Sequence, residues 1–380
     1  MNEFTRNRIH IQSRKFQKFL NSQPNAKPLS GEIQMYANKN NDMAVSPIVA
    51  TLVLIVVAVI GAVAVGTIMG TFSNSVAKQA DAGEAASASQ TTILVAGSTT
   101  IQPVTDALAK VYMTSNPGIK IVSNGGGSGA GLFTVMNNVA DIGAMSEDMS
   151  TAQKLKFPNA VQWRIGSGGI AIITNAKVPA TAAAALSNVT DLRPTFDADA
   201  ATPAAANNIT DGAVVVFRSD SSGTKDSFYA AMGLSVADPV ANTLAGSTTT
   251  VSGQSGNAAL VSKVASTDKA IGYCDYGYVA GRTDVKILGI IMDKTQGGST
   301  VDSRTYTATW DNIQAAAKNL YAGASQGANY PQGMTHPLYY ITNGQPSAIA
   351  KDFITYAQSL GAKDVFKSVN TVGMGDIYGL

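Results

Sequence analysis

Ile93-Leu94-Val95-Ala96-Gly97-Ser98-Thr99-Thr100-Ile101-Gln102-Pro103 is an apolar run followed by a Gly/Ser/Thr turn and a proline. The first four residues read as a buried strand and Gly97 to Ile101 as a turn. Pro103 suits the first helical turn, because its missing N–H would be unpaired there anyway, and Val104, Leu108, Val111 and Tyr112 fall on one helical face. The unit recurs. Ile119 to Val122 reads as a strand that passes through Asn124-Gly125-Gly126-Gly127-Ser128-Gly129-Ala130-Gly131 into a helix carrying Leu132, Val135 and Met136. Asp141 to Ala144 is a short strand entering a polar loop at Ser146. Ala213 to Phe217 is a strand, Arg218 to Thr224 a loop, and Lys225 to Met232 a helix. Strands alternating with helices predict an α/β fold with a mainly parallel sheet and a ligand site at the carboxyl ends of its strands.

Three of these turns, Gly97-Ser98-Thr99-Thr100, Gly127-Ser128-Gly129 and Ser222-Gly223-Thr224, place small hydroxyl residues where a helix starts. A helix N-terminus has unpaired backbone N–H groups and a partial positive charge, so each turn can wrap an oxyanion in donors. One such turn is ordinary capping. Three in one domain, with Arg218 four residues before Ser222, point to a convergent anion site.

The 380-residue chain is 45% apolar and only 14% charged, enough to bury a large core. Seven of the 27 Lys and Arg residues lie in the first 42 positions, and the remaining 20 face 22 acids, which leaves no basic field for nucleic acid. Cys274 has no partner for an internal disulfide, no Cys/His cluster has metal-ligand spacing, and no cofactor is implied. No Gly-x4-Gly-Lys-[Ser/Thr] loop or GxGxxG occurs. A serine hydrolase would rely on His336, the only histidine outside the leader, so no catalytic residue and no enzyme activity are expected.

Met43 to Ala77 carries no charge, and its apolar centre Ile48 to Met69 spans roughly 33 Å as a helix, the thickness of a bilayer core. That exceeds a secretory signal, and the basic residues Arg6 to Lys39 upstream place the leader in the cytoplasm and the rest outside. Val76 to Thr91 is an Ala/Ser/Gly-rich spacer. Asn188-Val189-Thr190 and Asn208-Ile209-Thr210 fit glycosylation acceptors.

Asp42-Met43-Ala44-Val45-Ser46-Pro47-Ile48-Val49-Ala50 resembles the N-terminus of archaeal type IV pilin-like proteins. The resemblance implies removal of the leader by a prepilin-type peptidase, here at the Met43/Ala44 junction. It also implies a helix that stays on the mature chain, in the membrane or in a filament core formed with other copies.

The motifs from Ala96 to Pro103, 125 to 131, Ala140 to Ala144, Arg218 to Thr224, Ala270 to Tyr273 and Pro337 to Ser347 resemble those of the phosphate-binding proteins of ABC transporters, over nearly all of Thr92 to Leu380. That resemblance implies a two-lobed periplasmic-binding-protein-like fold of type II, preceded here by one long N-terminal hydrophobic helix. After the leader 1–42, helix 43–75 and linker 76–91 read above, it implies lobe one at 92–168 plus 337–380 and lobe two at 169–336, with Ile170 to Thr174 and Leu338 to Thr342 as crossovers. It implies inorganic phosphate or a similar oxyanion as ligand, an ABC permease as partner, and an extracytoplasmic position at the cell surface. The carried-over ligand residues are Thr99, Thr100, Ser128, Ser146, Arg218, Ser222, Gly223 and Thr224, with Asp220 holding Arg218 and Gly127 and Gly129 giving the backbone access. Ser146 stands where the family has an acceptor aspartate, with Glu147 and Asp148 next. A rival expectation is a filament subunit whose head keeps the binding fold.

Overall fold

From Thr91 to Gly97 the chain buries Ile93, Val95 and Gly97 on one face of an extended strand, β1, and the turn after it feeds α1 (Gln102–Ser115). The computed structural model describes residues 90–178, 196, 214–234, 250–293, 301–324 and 330–378. All lie within the compact unit Ala86–Leu380. The leader, the apolar segment 43–75, linker residues 76–89, Asn188 and Asn208 fall outside them. Among the described residues no helix is long and apolar enough to cross a membrane.

The chain continues through β2 (Ile119–Gly125), α2 (Ser128–Met136), β3 (Ile142–Met145) and the 16-residue β4 (Ala160–Asn175). Next come β5 (Val214–Arg218), α3 (Gly223–Met232), β6 (Thr250–Gln254), α4 (Asn257–Ser266) and β7 (Ala270–Asp275). After β8 (Val285–Ile287) and the antiparallel pair β9 (Ile290–Asp293) and β10 (Val301–Tyr306) come α5 (Trp310–Tyr321), β11 (Thr335–Asn343), α6 (Ala348–Gln358) and β12 (Val372–Gly373).

The main sheet runs β2-β1-β3-β11-β4-β7-β5-β6, with β8 and β12 also on β4. It is mixed, and this corrects the expectation of a mainly parallel sheet. Its ends are parallel: β1 between β2 and β3, and β5 between β6 and β7. The middle is antiparallel because two long crossover strands join the ends. β4 pairs with β11 from Ala160 to Gly169 and with β7 from Ile170 to Thr174, so one strand serves both halves.

Each half has its own core. Ile93, Val95, Leu108, Ile121, Ile142, Tyr340 and Phe353 pack between the first three strands, α1 and α6. Leu132, Val135, Met145 and Ile341 seal the face under α2. In the second half the core gathers Ile170, Ile172, Val215, Phe228, Leu260, Val264 and Tyr273. Val111, expected on the apolar face of α1, is 45% exposed. The buried stripe of that helix is Val104, Thr105, Leu108 and Ala109, and Tyr112 reaches the core by setting its ring edge-on to Phe353 at 5.3 Å. α3 begins two residues earlier than the sequence reading, at Gly223, because the Ser222 hydroxyl caps the Lys225 N–H.

Candidate functional site

The apolar strand β5 buries Val215 and Val216 and ends at Arg218, which is 1% exposed. Behind it Phe228 stacks on Tyr273 at 4.1 Å, and the Tyr273 hydroxyl accepts the Arg218 backbone N–H at 3.2 Å. The guanidinium is held by Asp220 through Nε at 2.7 Å and Nη2 at 2.5 Å, a bidentate pair of fixed orientation. Burial pushes the Asp220 carboxyl up, but the Arg218 hydrogen bonds and charge and the Gly256 N–H outweigh it and hold the group below its ordinary value. Nη2 also donates to the Thr99 hydroxyl at 3.3 Å. Nη1, equally buried, has no hydrogen-bond partner. An unpaired guanidinium nitrogen out of water costs at least about 1–3 kcal/mol, so this donor is the position an anion oxygen would relieve.

The first half brings hydroxyls to the same place. Ser98 donates from its Oγ to Ser146 Oγ at 2.9 Å and accepts the Thr100 N–H at 3.2 Å. Ser128, the first residue of α2, lies 3.2 Å from Ser146 Oγ and accepts the Ser146 N–H at 3.2 Å. Gly127 before it has φ +90, backbone that favours glycine, and its N–H bonds Gly97 O at 3.0 Å. All of these groups sit at the carboxyl ends of β1, β2 and β3, where the turns leave the sheet.

The halves meet through the predicted residues. Thr100 Oγ1 lies 2.9 Å from Thr224 Oγ1, and the Gly223 N–H donates to Ser128 Oγ at 3.2 Å. Such contact needs bare backbone. A Cβ on Gly129 would strike the Ser221 side chain, and one on Gly223 would strike the Ser146 carbonyl. Gly127 faces Ser221 O, 2.5 Å from where its Cβ would lie. The glycines therefore make room for the opposite half. Thr99, Thr100, Ser128, Ser146, Arg218, Gly223 and Thr224 form one linked cluster. Ser222 adjoins it as the cap of α3, its Oγ accepting the Lys225 N–H.

Ser146, and not Glu147, joins the hydroxyls. Glu147 turns to Asp226 on α3; burial, with the hydrogen bond and charge of Asp226 and the charge of Asp148, pushes its carboxyl up to about 9. The sequence reading missed Asn257. This fully buried side chain donates from Nδ2 to Thr100 Oγ1 at 2.9 Å and to Thr99 Oγ1 at 3.4 Å. Its signal was the Gly256-Asn257 pair opening α4, a fourth helix start with Gly256 at φ +85. Tyr278, also missed, donates its hydroxyl to the Thr99 carbonyl.

Among the described residues no group of His, Cys, Asp or Glu could hold a metal ion. The assembled set is a buried cation with a spare donor, several hydroxyls and the N-terminal ends of α2 and α3. Such a set can pair the oxygens of a small anion from two sides.

The fold, with two cores and turns converging at strand ends, fits what the sequence comparison finds. The family model described as PBP superfamily domain matches residues 82–359, and the chain belongs to that superfamily. The phosphate-binding protein PstS of Bacillus subtilis (strain 168) is 26% identical over 281 residues, 73% of this chain and 78% of that protein. An ABC-type phosphate transport receptor from Vibrio cholerae superposes with a TM-score of 0.51 at 22% identity, covering 74% of this chain and 100% of the receptor. A high-affinity periplasmic phosphate-binding protein, PfluDING, solved with phosphate, gives 0.52 at 18% identity over 76% of this chain and 92% of its own. At these identities the two structures speak for the fold.

Proposed function

We propose that this chain is a non-enzymatic extracytoplasmic receptor that binds inorganic phosphate, or a similar oxyanion, between two lobes and presents it to an ABC permease. The observation that carries the reading is the unpartnered Nη1 of Arg218, buried on the second half beside a site whose other members are hydroxyls and helix starts. Membership of the PBP superfamily and the likeness to PstS support it. Lobe one is 92–168 plus 337–380, lobe two is 169–336, and β4 and β11 are the hinge strands between them. Arg218 neutralises the anion, Asp220 orients Arg218, and Thr99, Thr100, Ser128, Ser146, Ser222, Gly223 and Thr224 donate. A dianion in a dry site is tolerable only if most of its oxygens are paired, and donors from both lobes reach it together only when the lobes are closed. Closure turns occupancy into a shape that a permease reads.

The apolar segment 43–75 anchors the receptor at the cell surface after the prepilin-type peptidase removes the leader. The opening Asp42 to Ala50 supports a second reading, assembly of many copies into a filament that displays the binding heads. Isolated surface filaments containing the chain would favour it.

The binding test is calorimetry on the full-length chain in non-ionic detergent, stripped of bound solute by unfolding and refolding, against phosphate, sulfate, arsenate and molybdate. Micromolar or tighter phosphate binding is expected. Absence of binding to all four would overturn the receptor reading and leave the filament role.

A further inference from the structure

His336 is buried at the place where both halves and both crossover strands meet. It lies on β11, opposite Gly168 of β4, and a Cβ on Gly168 would collide with Asp275 and with the imidazole. Its Nδ1 is 3.0 Å from the carbonyl oxygen of Ser146, at the end of β3. Its Nε2 is 3.0 Å from Oδ2 of Asp275, at the end of β7. The imidazole is 0% exposed and the carboxylate 3%. No role in anion capture given above uses this pair.

Proton counting fixes the ring's links. A carbonyl oxygen only accepts, so Nδ1 carries a proton. A hydrogen bond joins Nε2 to Oδ2 of Asp275, because two bare lone pairs facing each other in a site without water's screening would repel. Asp275 Oδ1 also accepts the Gly277 N–H at 3.0 Å, which fixes the orientation of the carboxyl. The Cys274 thiol beside Asp275 is kept protonated by burial, and Ser167 Oγ donates to the His336 backbone carbonyl. Asn257 Oδ1 accepts the Asp275 N–H at 3.3 Å, while Asn257 Nδ2 bonds Thr99 and Thr100. One line of hydrogen bonds therefore runs from Ser146 through His336, Asp275 and Asn257 to the two threonines.

We infer that His336, clamped between Ser146 and Asp275, is a positioning residue that fixes the Ser146 loop against β7 behind the anion site. This deepens the receptor reading and rests on it for its effect on affinity, but the hydrogen bonding of the ring does not.

Two measurements test it separately. In the full-length chain labelled with 15N-histidine, His10→Gln leaves one imidazole. Its Nδ1 should carry a proton protected from exchange with water, with or without phosphate; a bare Nδ1 or a rapidly exchanging proton overturns the inference. In calorimetry, His336→Gln keeps a donor but cannot bridge both Ser146 and Asp275, and phosphate should bind about 10- to 100-fold more weakly. Asp275→Asn should lose a similar factor, and the double variant no more than the larger single one, because the two side chains act as a unit. Wild-type phosphate affinity in folded His336→Gln, or losses that simply multiply, overturns the positioning role. If the unaltered chain binds no oxyanion, the receptor reading fails and the ring measurement still stands.

Discussion

Two pairs of a nitrogen base and a carboxyl lie within the body of this protein, and they differ in what they leave over. Arg218 gives Nε and Nη2 to Asp220 and keeps Nη1 unpaired. His336 has both ring nitrogens engaged, by Ser146 and Asp275. Burying an ion pair contributes little net stability by itself, because desolvation offsets most of the attraction. The unequal satisfaction of the two pairs thus separates a group with a donor left over from one spent on the scaffold.

The sharpest way to break the contrast is Arg218→Ala. It removes the spare donor and the charge, and phosphate binding should weaken by about 3–5 kcal/mol in calorimetry, far more than for His336→Gln. Unchanged affinity would take Arg218 out of the site. Gly223→Ala tests the approach of the halves instead of the charge. The added methyl meets the Ser146 carbonyl, and overpacking of about 1–3 kcal/mol should appear as weaker binding and a more open shape in small-angle scattering. Asp220→Asn loosens the guanidinium and should cost about 1.5–3 kcal/mol of affinity.

The same carboxyl gives a pH test. Its folded value lies below the unfolded one, so its contribution to stability is present above the unfolded value and is lost as pH falls through the folded value. Thermal melts below about pH 4 should show this acid-linked loss, and Asp220→Asn should remove it. The last test lies away from the anion, at Glu147, whose folded value is raised to about 9. Its contribution is full below the ordinary range near 4.5 and declines as pH rises toward 9. Glu147→Gln should flatten the fall in melting temperature between about pH 5 and 9. An unchanged slope would remove the shared proton with Asp226.

The strand, glycine turn and helix units were legible because each is local: Ile93 to Pro103 carries its own apolar run, turn and helix start. Arg218 and Asp220 were legible for the same reason, being two residues apart. The mixed sheet was not. β11 enters between β3 and β4, and its partner Ser146 is 190 residues from His336, a pairing that no window of sequence displays. Asn257 escaped because a glycine and an asparagine at a helix start carry no mark beyond ordinary turn chemistry; its contacts with Thr99 and Thr100 exist only once the halves meet. Val111 fits the helical period of α1, but the stripe that α1 buries is rotated toward Thr105 and Ala109.

The late position of β11 also has a consequence for synthesis. β3 has its neighbour β1 as soon as residues 91–145 have emerged, yet its other edge stays open until Tyr339 to Ile341 arrive. An open edge of Ile142-Gly143-Ala144-Met145 is a template for wrong pairing during that interval. The chain therefore faces its greatest aggregation hazard while unfinished, and loss of the segment from Thr335 onward should leave an insoluble product and not a stable half.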